Sequence, residues 1–212
     1  MKKAISTRLL LATLILTAGA IPLSAQENED NTFGGWEFFE IYHSFRNSNW
    51  FASFYFEHDN FQYKRLDACY TRTTVGYKFT GWLKADVAYD FMIEPDGMTH
   101  RAIIDLIGTL KEGNLTVSLR ERCLHKWVMS SGRQGNELRS RLKAQYAIPE
   151  SRFKPYLAIE VFTWEKWMKT RHYAGTAVTL NGHFEIEGYY MYYTFSDKPA
   201  QHVLGIGLNM EF

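Results

Sequence analysis

The sequence predicts an all-β fold, an antiparallel up-and-down transmembrane β-barrel of 10–12 strands with short periplasmic turns and longer extracellular loops. Three observations predict it. From Trp36 to Phe212 the chain alternates with period two in eleven blocks of ten to fourteen residues, well beyond the ~5–6 residues usual for strands of soluble sheets. Between the blocks, tight turns alternate with longer polar links, the asymmetry of a membrane barrel. Trp and Tyr collect at block ends, where a membrane–water interface suits both an apolar ring and its polar edge.

Residues 1–25 read as a cleaved signal peptide: Lys2 and Lys3 precede an apolar run from Leu9 to Ile21, and Pro22-Leu23-Ser24-Ala25 offers a small residue before Gln26. The uninterrupted apolar core is shorter than the ~20 residues a spanning helix needs. Residues 26–212 then form a single outer-membrane barrel domain. Its blocks are about 36–45, 49–58, 66–79, 82–92, 99–110, 114–127, 136–147, 154–163, 171–180, 183–194 and 201–212. Thr80-Gly81, Lys111-Glu112-Gly113, Pro149-Glu150-Ser151 and Asn181-Gly182 are the tight turns, the last a pair suited to consecutive positive φ. The longer links are 59–65, 93–98, 128–135, 164–170 and 195–200.

Each block splits into an apolar and a polar face. Leu83, Ala85, Val87, Tyr89 and Phe91 oppose Lys84, Asp86, Ala88 and Asp90; Leu115, Val117 and Leu119 oppose Thr116, Ser118, Arg120 and Arg122. A soluble sandwich alternates too. The aromatics separate the cases: Trp36, Trp50 and Trp82 open their blocks and Trp127 and Trp164 close theirs, as girdles at both interfaces require. One segment pulls the other way, because "NELRSRLKAQYA" from Asn136 is made of helix formers with Leu138, Leu142 and Tyr146 four apart. Its Arg139, Arg141 and Lys143 alternation makes it a strand. In the closing "LGIGLNMEF", Leu204, Ile206, Leu208, Met210 and Phe212 face lipid while Gly205, Gly207 and Asn209 leave room inside. Since bacterial single-chain barrels are usually even-numbered, either 26–34 adds a strand to make twelve, or one block near the N-terminus stays outside the ring to leave ten.

Composition removes several function classes. A formal net charge of +1 over 212 residues marks no basic stripe for nucleic acid. Metal and cofactor sites are not expected, for there is no His-x-x-x-His, Cys-x-x-Cys, calcium loop or glycine-rich phosphate loop. Cys69 and Cys123 lie on outward faces, either as two free thiols or as a bridge formed in an oxidising space. The histidines are scattered singly, and no Ser sits in a nucleophile elbow. Ser130-Ser131 after His125 is the one pairing that a lipid-modifying enzyme, hydrolase or acyltransferase, would use.

The inward faces collect Arg72, Lys84, Arg101, Arg120, Arg122, Arg139, Arg141, Lys143 and Arg171 against Glu40, Glu57, Asp86, Asp90, Asp105, Glu160, Glu185 and Glu187. In so narrow a lumen opposite charges can neutralise one another through Arg–carboxylate pairs. That gives a charged, largely filled interior with a structural role. Arg120 and Arg122 on one strand beside Arg139 and Arg141 on the next form a cationic wall, which adds a second reading: a narrow, anion-leaning pore passing a small anionic solute such as an acidic sugar.

The whole mature chain resembles an uncharacterised family of small Gram-negative outer-membrane barrels, a domain of unknown function. The resemblance rests on "RTTVGYKF" from Arg72, "HRAIIDL" from His100, "LRERCLHKW" from Leu119, "ELRSRLKAQYAIP" from Glu137, "KPYLAIEVF" from Lys154 and "RHYAGTAVTLNGHFEIEGYYMYY" from Arg171. It implies a barrel in the outer membrane, with Arg72, Arg120, Arg122, Arg139, Arg141, Glu160 and Arg171 at recurring polar positions, and it implies no activity. The expected partners are outer-membrane lipid and the barrel-assembly machinery, for which the terminal Phe212 is similar to the assembly signal of such barrels; the chain is expected to be a monomer.

Overall fold

The computed structural model describes residues 32–61, 65–95, 97–163, 169–196 and 199–212; the leader read over 1–25 and Trp164 lie outside them. Eleven strands account for most of these residues: β1 (Thr32–Ser44), β2 (Trp50–Phe61), β3 (Arg65–Lys78), β4 (Leu83–Glu94), β5 (Gly97–Glu112), β6 (Leu115–Val128), β7 (Gln134–Tyr146), β8 (Phe153–Thr163), β9 (Lys169–Thr179), β10 (Phe184–Phe195) and β11 (Gln201–Glu211). All exceed the ~9–11 residues that a tilted strand needs to cross hydrocarbon, or match its upper end. Among them is the ambivalent "NELRSRLKAQYA" segment, paired on both sides as β7. Cross-strand pairing overrides the helical propensity of its residues.

Consecutive strands pair antiparallel, and β1 closes the ring against β11 in parallel, from Thr32 opposite Gln201 to Tyr42 opposite Glu211. The even count expected from the sequence is therefore not what closes the barrel. With an odd number of up-and-down strands, the first and last point the same way, so their seam must be parallel; neither an added strand nor an omitted block is required. The seam runs to the last residue. The Phe212 amide donates to the Tyr42 carbonyl at 2.9 Å and the Ser44 amide donates to the Phe212 carbonyl at 3.0 Å. No strand edge is left for hydrocarbon to meet.

Pairing also extends further into the links than the turn signals suggest. Strand β2 continues to Phe61, β4 to Glu94, and β5 starts at Gly97, so the rim carrying these links is less looped than expected. Each added pair satisfies backbone groups that would otherwise need water.

The two faces are inverted relative to a soluble sandwich. Val87, Ile104 and Leu110 are 58%, 61% and 70% exposed, whereas Asp90, Asp105 and Glu160 are 0%, 3% and 2% exposed. Apolar side chains cover the outside and charged ones fill the inside, which is how a barrel sits in lipid. Trp50 and Trp82 project at one rim, and Tyr89 and Tyr190 lie towards the other. Trp36 is a correction: β1 begins at Thr32, four residues before the predicted block, so Trp36 is not a strand end, and it lines the lumen instead. Cys69 and Cys123 are both unbonded.

Candidate functional site: the charged lumen

The inward side chains enclose a cavity of about 310 Å³. Its chemistry follows from register. On the β6–β7 pair, Arg120 lies directly opposite Arg141 and Arg122 directly opposite Arg139. Like charges so placed repel, and the wall is held together by carboxylates reaching in from neighbouring strands.

Asp105 on β5 takes Arg122 in a two-pronged pair, Nε to Oδ1 at 2.8 Å and Nη2 to Oδ2 at 2.6 Å. Glu160 on β8 accepts from Arg120 Nη2 at 2.6 Å and from Arg171 Nη1 at 3.4 Å, and the Tyr173 hydroxyl reaches it at 3.4 Å. Arg139 bonds Glu137 two residues away on the same strand. Arg141 is the exception: its guanidinium carbon lies 4.9 Å over the Tyr173 ring, its Nε has no hydrogen-bond partner, and among the described residues it is in no ion pair. Glu160 lies directly opposite it on β8 but is bonded by Arg120 and Arg171, so Arg141 feels that carboxylate without pairing with it.

A second cluster sits around Asp90 on β4. Arg72 binds it through two bonds of 2.7 and 2.9 Å, and Arg101 Nη2 lies 2.6 Å from Oδ2, an oxygen that Arg72 also bonds. Near the short-turned rim, Lys154 donates to Glu185 at 2.6 Å, and Lys143 approaches Glu187 at 3.6 Å. Of the inward charges read from the sequence, all but Asp90, Arg101, Lys143 and Glu185 line the cavity. Arg101 is drawn aside by Asp90, and Glu185 faces the rim beside Thr179.

Across the lumen the wall is aromatic. A Cβ at Gly205 would fall 2.0 Å from the Tyr189 ring and one at Gly207 would fall 2.2 Å from Phe38. These two glycines therefore do more than leave room: they are seats on which rings lie flat against the sheet. Phe38 stacks on Tyr55 at 5.5 Å, and Tyr189 meets Tyr173 edge-on at 5.6 Å, so a chain of rings crosses the interior. Arg171 is enclosed by Trp36, Phe162 and Tyr193 at 4.8, 4.7 and 4.4 Å. Sequence reasoning missed these aromatics because it assigned rings to the lipid interface. Parity would have found them, since Tyr156, Tyr173 and Tyr189 alternate in phase with Glu160, Arg171 and Glu187.

The pairing considered for an enzyme does not assemble. His125 points outward, its Nδ1 lies 2.6 Å from the Asn136 amide oxygen, and its ring meets Trp127 edge-on. Ser131 instead accepts from the Arg133 amide at 3.4 Å. Among the described residues no group of three potential metal ligands occurs.

A closed barrel, apolar outside and ion-paired within, defines the chain as a porin-like membrane β-barrel. Two solved structures share the fold: a KdgM porin at a TM-score of 0.52 and 12% identity, covering 82% of this chain and 89% of that one, and a NanC porin at 0.50 and 14%, covering 72% and 78%. Among curated proteins none matches the sequence. The profile of the family described as protein of unknown function (DUF2490) matches residues 33–203, and the chain belongs to that family.

Proposed function

We infer that the protein is an outer-membrane barrel, exported by a cleaved leader, whose charged and largely filled lumen leaves a narrow pore that favours anions. The observation that carries this is Arg141, which stands on the cavity wall beside Arg120, Arg122 and Arg139 with no ion pair of its own among the described residues. Fixed cations at a constriction raise the local anion concentration and repel cations. The apolar outer surface supports placement in a membrane, and the short-turned rim that carries Phe212 is taken as the periplasmic one, where the terminal aromatic can be read by the assembly machinery. The reading as a lipid-modifying enzyme has no geometry of its own here, because His125 engages Asn136 and neither serine. Reconstitution into a planar bilayer tests the pore. Small, discrete conductance steps are expected; silence at high voltage counts against an open lumen and leaves the structural role.

A further inference from the structure

We propose that the outward face of β6 and β7 is the docking surface for a second copy of this chain, joined through a ladder of polar pairs that lipid cannot cover. The proposal departs from the expected monomer and stands independently of whether the lumen conducts.

Outward positions in the strand interiors are otherwise mostly apolar. Along β6–β7 two directly opposed pairs break that rule. The Ser140 hydroxyl donates to Glu121 Oε2 at 2.6 Å near the middle of β6, and His125 bonds Asn136 at 2.6 Å two pleat repeats nearer the rim. Cys123 lies between them, exposed on the same face. The flanking side chains are Ile104, Leu106 and Leu119, all exposed. Two other carboxylates point outward among the described residues. Glu112 is the last residue of β5, and Glu37 has a base, His58 Nδ1, at 3.0 Å. Glu121 has only a hydroxyl.

A carboxyl group in hydrocarbon retains unsatisfied hydrogen-bonding capacity, and acyl chains offer it nothing. Polar side chains on lipid-facing surfaces are accordingly a device for joining membrane segments. A second copy is the occupant that fits by hydrogen bonding and by depth. It inserts in the same direction, so a two-fold axis along the membrane normal sets the Glu121–Ser140 pair against its own copy, where each Glu121 can accept from the other copy's Ser140 hydroxyl. The His125–Asn136 pair, which carries both a donor and an acceptor, extends the polar face towards the rim. The face is complementary to itself at the axis, as an isologous interface must be.

The native cysteines supply the test. The full protein is inserted into phospholipid vesicles at a low protein-to-lipid ratio and treated with a short bis-maleimide. Cys123 lies inside the proposed interface and Cys69, on β3, outside it. A cross-linked dimer is expected that Cys123→Ser abolishes and Cys69→Ser preserves. Glu121→Leu should lower its yield by about five-fold or more, while Glu121→Gln, still able to donate and accept, should retain most of it. Because Leu suits lipid better than Glu, the Leu variant should insert at least as well, which its heat-sensitive gel mobility checks. Absence of a dimer in the wild type, a dimer that depends on Cys69, or one undiminished by Glu121→Leu overturns the proposal.

Discussion

The two sides of the lumen use different physics. On β6–β8 the wall is built of guanidinium groups braced by Asp105, Glu137 and Glu160; across from it, at the β10–β11–β1 seam, rings of Tyr189 and Phe38 lie on glycines. The first wall is electrostatically determined and costly to unbalance. The second is steric and sets how much space remains. Selectivity and aperture are therefore assigned to opposite walls, and substitutions should affect them separately.

The largest effect is expected on the charged side. Glu160→Gln leaves Arg120 and Arg171 buried without their shared carboxylate, and breaking a buried pair in this way costs about 3–5 kcal/mol. The folded band on unboiled gels should disappear at a lower temperature or denaturant concentration. Glu185→Gln, which removes the partly exposed partner of Lys154, is the matched control and should cost under about 1 kcal/mol. Next comes the outer surface: Ile104→Arg places a cation in lipid at an estimated cost of ~2–4 kcal/mol near the midplane, which the same assay would register. An unchanged barrel would mean that this face does not meet hydrocarbon.

Smaller effects are expected at the aromatic wall. Gly205→Ala drives a methyl into the Tyr189 ring, and overpacking of this kind costs about 1–3 kcal/mol. Tyr189→Ala removes the ring itself and should enlarge the conductance step without altering ion preference. A change in preference with no change in step size would reverse the assignment of the two walls.

Much of this architecture was legible in the sequence because a strand has a period of two and a barrel has two unlike faces. Leu83 to Phe91 against Lys84 to Asp90 gave both the strand and its orientation, and the clustering of Arg120, Arg122, Arg139 and Arg141 followed from adjacent blocks joined antiparallel. Three features were not legible. The parallel seam between β1 and β11 depends on closure around the whole ring, which no local pattern encodes. Trp36 was misplaced and the lumen tyrosines were passed over because rings serve equally at an interface and in a packed interior, and residue type was weighed above parity. That Arg141 forms no ion pair, although Glu160 lies directly opposite it on β8, follows from Arg120 and Arg171 taking that carboxylate, a matter of side-chain reach rather than of sequence spacing.

The smallest structural change should give the clearest functional reading. Arg141 has no ion-pair partner among the described residues, so Arg141→Gln strands no acid, and its effect on stability should stay below about 1 kcal/mol. Under a salt gradient across a planar bilayer, the wild-type reversal potential should lie on the anion side and that of Arg141→Gln should move towards the cation side. A cation-selective wild type, or an unshifted potential in the variant, would contradict the account of the lumen as a narrow passage governed by its arginine wall.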